Sequence, residues 1–185
     1  MSNIKDKLIE MIFSNENFEV IEIKTSQIYF EERVKLKCFQ CNKYNHKWTC
    51  PPKIPKLDYE TIIKKEYSKG LLVRYKESIN KENFEQVRLN TTVKLHQALL
   101  KAEKFLYDNN NVLVLSFIGG SCKLCKNGCN PEKCNNPQMA RIPMEATGIN
   151  VIKTVNEVGY NIKFPIEDSL SRYGLLLWEE KEWII

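Results

Sequence analysis

Apolar residues recur at helical spacing near the start of the chain, where Ile4, Leu8, Ile9, Ile12 and Phe13 share one side and Ser2 can serve as N-cap. A period of two follows. Ile21 and Ile23 alternate with Glu22 and Lys24, and Val34, Leu36 and Cys38 alternate with Lys35 and Lys37. This predicts a hairpin that turns near Thr25-Ser26-Gln27 and delivers its second strand into a loop ending at Pro51, Pro52 and Pro55. A short helix is expected over 59–67, closed by Gly70, and then a strand over 71–75.

The longest helical pattern spans 84–107, with Phe84, Val87, Thr91, Leu95, Ala98, Ala102 and Phe105 on one face and three asparagines behind it. The nearly continuous apolar run 112–118 reads as a buried strand. Strand, helix and strand over 71–118 form a βαβ unit, so the two strands are expected to be parallel. Residues 119–142 carry neither period, and a loop of that length needs a staple or a task. Another helix is expected over 143–158, with Gly159 as its stop, and a last buried strand over 173–178. The pattern is that of an α/β (or α+β) fold. One domain is expected over 1–185, with an N-terminal helix and hairpin and two cysteine-rich loops, 38–52 and 119–142.

With 43% apolar and 28% charged residues the chain is globular in composition. The opening MSNIKDKLIEMIF has no uninterrupted apolar core and no small-residue cleavage site, so no secretory leader is expected. No apolar run nears the roughly 18–20 residues of a membrane helix, so no membrane role is expected and a cytoplasmic location follows. The formal charge of +5 comes without a nucleic-acid motif, and nucleic acid is not the expected partner. Instead Arg33, Lys35, Lys37, Lys43, Lys47, Lys53 and Lys56 crowd one group of cysteines and Lys123, Lys126 and Lys133 the other. Such cations offset the negative charge of metal-bound thiolates.

The seven cysteines carry the chemistry. Cys38, Cys41 and Cys50 form one group, Cys122, Cys125, Cys129 and Cys134 the other, and none lies elsewhere. An odd number in a reducing compartment argues against a disulfide framework, and such clustering is not that of buried structural cysteines. Cys38-x2-Cys41 is a chelating pair that Cys50 can join, and C-x2-C-x3-C-x4-C supplies four thiolates within one loop. Zinc sites of four cysteines usually arrive as two C-x2-C knuckles. Closely spaced cysteines with proline after the last, as at Cys50-Pro51, suit iron–sulfur ligation better, and zinc stays open as the alternative.

The other chemistry-bearing residues read more plainly. His46 is a candidate fourth ligand of the first group but fits a solvent-facing loop residue better. His96 reads as a flanking or core histidine. Tyr44 and Trp48 are packing residues that can also cover a metal site. Arg141 and Glu145, spaced i, i+4, read as a surface or capping ion pair.

These motifs resemble those of a prokaryotic family of predicted metal-binding proteins, a domain of unknown function. The family's first motif, C-x2-C-x2-Y-x3-W-x-C-P-P, is matched by Cys38, Cys41, Tyr44, Trp48, Cys50, Pro51 and Pro52. Its second, four cysteines followed by R-x-x-x-E-A-x-G-I-x-V, is matched by Cys122, Cys125, Cys129, Cys134, Arg141, Glu145, Ala146, Gly148, Ile149 and Val151. Pro143 and Asn150 stand where the family more commonly has serine and aspartate. The resemblance implies metal binding and no particular activity.

From the residues, the expectation is a pair of iron–sulfur sites of the [4Fe-4S] type serving electron transfer or another redox role beside a partner protein. Two other functions are compatible with the same cysteines: a zinc-stabilised interaction module, and an enzyme whose three-cysteine cluster binds a small anionic ligand at an open iron. One larger centre that pools all seven cysteines is a further arrangement.

Overall fold

The computed structural model describes residues 3–111, 113–162 and 164–179. Helix α1 spans Ile4–Ile12, and Asn3 caps it by accepting from the Lys5 N–H. Ser2, the expected cap, lies outside the described residues. Strand β1 follows at Phe18–Lys24.

The expected hairpin partner of β1 is instead a helix, α2, over Glu32–Phe39. Five alternating residues are too few to mark a strand when neither set is buried, and no residue of α2 is. The charges are ordered for a helix, with Glu32 in the first turn, Lys37 in the last, and a Glu32–Lys35 pair at i, i+3. The true partner of β1 is β2, Lys69–Ser78, which follows helix α3 at Tyr59–Glu66.

Helix α4, Phe84–Asp108, and strand β3, Leu115–Phe117, follow as expected in order, although Val112 lies outside the described residues. The pairing of the strands differs. Strand β4, Ser169–Leu177, inserts between β2 and β3, giving the order β1-β2-β4-β3 with every ladder antiparallel. Strands β2 and β3 therefore run in the same direction without touching, and the βαβ unit is split by the last strand of the chain. Both Leu71–Val73 and Leu175–Leu177 are fully apolar, so either run can fill a two-sided central position. Sequence order gave no means of seeing that β4 returns to the middle.

Helices cover both faces of this sheet. On one side Leu95, Ala98, Leu99, Ala102 and Leu106 of α4 pack with Leu8 of α1 over Leu71, Val73, Leu176 and Trp178. The helix comes so close that a Cβ at Gly174 would meet Leu99 Cδ1 at 2.7 Å. On the other face Ile63, Met144, Ile149 and Val155 cover Ile23, Leu72, Phe117, Leu175 and Leu177.

The single helix expected over 143–158 is two pieces, a 3-10 turn at Met144–Thr147 and helix α5 at Val151–Glu157. Gly148 breaks it by taking φ +96°, and the Asn150 side chain restarts it by accepting from the Lys153 N–H. Gly159, at φ +94°, follows the end of α5 as its expected stop. Among the described residues, no helix is long and apolar enough to cross a membrane.

Truncation where α4 meets the sheet is predicted to be costly. Leu99→Ala should lower unfolding free energy by about 2–5 kcal/mol, whereas Leu89→Ala, on the exposed side of the same helix, should stay within about 0.5 kcal/mol of wild type. Denaturant melts monitored by circular dichroism measure both.

Candidate metal centre

Cys38 sits in the last turn of α2, and its thiol donates to the Glu145 carbonyl oxygen at 3.5 Å. From there a succession of turns folds the first loop back on itself. Cys41 N donates to Cys38 O at 3.1 Å, Tyr44 N to Cys41 O at 2.9 Å and Cys50 N to Lys47 O at 3.1 Å. Asn45 takes φ +58°, and its N–H closes the loop on Pro51 O at 2.8 Å. Cys50 ends up buried, Cys38 half-buried and Cys41 exposed.

Burial pushes the Cys50 thiol up to about 11, and the neighbouring Cys38 and Cys41 thiols push the same way. The Thr49 hydroxyl is buried and without a hydrogen-bond partner of ordinary geometry. It acts in the opposite sense on Cys50, as a donor favours a thiolate. Cys38 is raised too, first by burial and then by the Glu145 carboxylate and Cys41. The three thiols thus lie within each other's electrostatic reach. His46 is exposed on the surface of the loop, as its sequence context predicts.

The second loop leaves β3 through Gly119, which lies so tightly on the last strand that a Cβ there would meet Tyr173 O at 2.3 Å. Cys122 follows it into the core beneath α4, with Leu124 packed alongside. Cys125, Cys129 and Cys134 are half-buried, and Cys125 Sγ accepts from Asn136 Nδ2 at 3.3 Å. Burial raises the Cys122 thiol, the Leu124 N–H opposes it, and Cys129 and Cys125 add to the rise. Cys122, Cys125 and Cys129 are therefore neighbours. Among the described residues, no three His, Cys, Asp or Glu side chains converge tightly enough to hold a single metal ion.

The two loops touch. Trp48 Nε1 in the first donates to Asn130 O in the second at 2.8 Å, and Lys53 lies 4.2 Å over the Trp48 ring. Tyr44 meets Phe39 edge-on at 5.1 Å. Lys123 is half-buried, and burial lowers its pKa. The cations Lys43, Lys47, Arg88 and Arg172 around it act in the same direction. Thiols and cations from both loops thus share one end of the molecule.

The chain belongs to the family of predicted metal-binding proteins known as DUF2284. The family's profile matches residues 21–178, which takes in both cysteine loops, strands β2, β3 and β4 and most of β1. Comparison with curated proteins and with solved structures returns no match.

The geometry gives the DUF2284 motif positions physical roles. Glu145 is not paired with Arg141, contrary to the i, i+4 expectation, because the chain between them is extended rather than helical. Its carboxylate accepts from Gly120 N at 3.3 Å, and burial raises its pKa. Gly148 lies beneath α2, where a Cβ would stand 3.0 Å from Lys35 Cε, and Gly148 O accepts from Glu31 N at 2.9 Å. The motif segment 144–150 is thus the floor on which the cysteine-bearing helix rests. Asn150 caps α5, its side chain accepting from Lys153 N at 3.0 Å.

Arg141 reaches α4 instead. Its Nε donates to Glu103 Oε1 at 2.7 Å and its Nη2 to Glu103 Oε2, while Ser116 Oγ also donates to Glu103 Oε1. His96 is a core histidine as expected, but it has a task. Its Nε2 lies 2.9 Å from Met139 O, and since a carbonyl can only accept, that nitrogen carries the proton. No sequence signal sets Glu103 or His96 apart, because nothing local in a helix shows what will pack on it.

Acid should loosen this anchorage. Burial lowers the His96 pKa, opposed by its bond to Met139, so the neutral ring is the folded form. The unfolded chain takes up a proton below about pH 6.5 and the folded one does so only lower, so stability present above pH 6.5 is lost as pH falls. The fall in unfolding midpoint between about pH 7.5 and 5.5 should be smaller in His96→Gln than in wild type. Equal slopes would remove His96 from the account.

Proposed function

We propose that the seven cysteines ligate iron–sulfur clusters of the [4Fe-4S] type and that the protein passes electrons to or from a partner protein. The observation that carries the reading is the donor set. Seven free thiols lie in two groups on adjoining loops, with the cations of both loops between them. The residues fit such a group. Soft thiolates are the ligands that iron–sulfur clusters take, and the unpaired Thr49 hydroxyl beside Cys50 is a donor that a cluster sulfur would accept from.

Cys122, Cys125, Cys129 and Cys134 supply four ligands, and Cys38, Cys41 and Cys50 supply three. When bound, a cluster of this kind takes up and releases one electron at a time. The chain's own part is to deliver thiols whose protons leave on loading, to balance the resulting charge with Lys43, Lys47 and Lys123, and to wall the first loop with Trp48. With His46 exposed, the three-thiol group leaves one position of its cluster to a small anionic ligand.

Protein purified anaerobically, or reconstituted with iron and sulfide, should hold iron and acid-labile sulfide in similar amounts. Cys41→Ser and Cys125→Ser should each remove about half of the iron if the groups hold separate clusters of one type. Stoichiometric zinc without sulfide, even after reconstitution, would overturn the proposal in favour of a zinc-stabilised module. Loss of all iron in either variant would mean a single pooled centre.

A further inference from the structure

Strand β3 pairs only with residues 175–177 of β4, so the preceding part of β4 has no strand on that side. A cavity of about 560 Å³ opens there, walled by β4, Glu145, the start of α5 and part of segment 161–168. That is within the range of small-molecule pockets. Three features give it a chemical character.

The first is an unused donor. Arg172 lines the cavity, and its Nε is buried with no hydrogen-bond partner. A buried N–H left unpaired is expensive and calls for an acceptor, whether ordered water or a ligand. Arg74, the other cation in the wall, is already engaged. It donates to both carboxylate oxygens of Glu19, at 3.1 and 2.9 Å, and to Ser171 Oγ at 2.9 Å.

The second is an apolar rim. Ile152, Phe164 and Ile166 line the cavity, yet they are 45%, 64% and 38% exposed. Three large apolar side chains left open around one buried cation suit a ligand with an acid head and an apolar body. The third is charge at the mouth. Glu167 and Asp168 also line the cavity and are exposed, and Glu145 in its wall already attracts Arg172, so repulsion grows with each negative charge on a ligand and a single charge suits the site best.

We propose that this cavity binds a small monocarboxylic acid, its carboxylate pairing with the guanidinium of Arg172 and its apolar body resting on Ile152, Phe164 and Ile166. The site is distinct from the cysteine groups but adjoins one of them. Glu145 walls the cavity, and its backbone carbonyl accepts from the Cys38 thiol. A ligand held here lies beside the three-thiol group, and the binding itself requires no metal.

The test uses the purified full chain and three probes: phenylacetate, phenyl phosphate and neutral 2-phenylethanol. Saturation-transfer NMR and isothermal titration calorimetry should show saturable phenylacetate binding, at least about tenfold tighter than the alcohol. Arg172→Gln should weaken phenylacetate about tenfold and leave the alcohol unchanged. Phe164→Ser alters an exposed side chain and should weaken both, which decides the matter if Arg172→Gln does not fold. Phenyl phosphate binding tighter than phenylacetate would overturn the monocarboxylate assignment. Absence of saturable binding, equal affinity for acid and alcohol, or indifference to Phe164→Ser would overturn the site, leaving only water on Arg172.

Discussion

The antiparallel ladder between β2 and β4, running from the Gly70–Leu177 pair to the Ser78–Ser169 pair, is the constraint on which the rest of the molecule depends. It draws the last strand into the centre of the sheet and pushes β3 to the edge, where only three residues pair. The second cysteine loop therefore starts from a short edge strand, and the part of β4 beyond it stays open on that side. Gly174 lets α4 come down onto this ladder, and Gly119 lets the loop leave across it. One pairing choice thus fixes where the helix, the second loop and the cavity lie.

The two cysteine loops are held from opposite faces of this sheet. On one face α4 offers His96 and Glu103 to the end of the second loop, and Cys122 enters the core that α4 covers. On the other, the 144–150 segment supports α2, whose last turn carries Cys38. The Trp48–Asn130 bond then joins one loop to the other. A long irregular segment normally calls for a staple. Here polar ties to a helix supply much of it, so a bound metal is not the second loop's only source of order.

Much of this was legible in the sequence because it is local. Helices α1 and α4 show their apolar stripes, β2 and the end of β4 show buried apolar runs, and the cysteine spacing together with the Y-x3-W-x-C-P-P motif reaches the family directly. What failed was non-local or too short to carry a period. Five alternating residues at 34–38 cannot tell a strand from an exposed helix, and only the fold shows that β1 has a better partner in β2. The i, i+4 spacing of Arg141 and Glu145 presumes a helix that begins only after Arg141, so the guanidinium finds Glu103 instead. Arg172 lies in a strand without any motif, and no single-sequence signal sets it apart from the chain's other arginines.

Electrostatics links the cysteines to their surroundings. Burial and mutual proximity hold the Cys38, Cys50 and Cys122 thiols above their ordinary pKa, so without a metal they are neutral near pH 7. Over the same region Lys43, Lys47, Arg88 and Arg172 disfavour the charge on Lys123. Two of these cations also face carboxylates, Arg88 pairing with Glu85 at 2.7 Å and Arg172 being drawn to Glu145. Thiolates bound to a metal would ease the repulsion on Lys123, since each lost thiol proton adds a negative charge where the cations already stand.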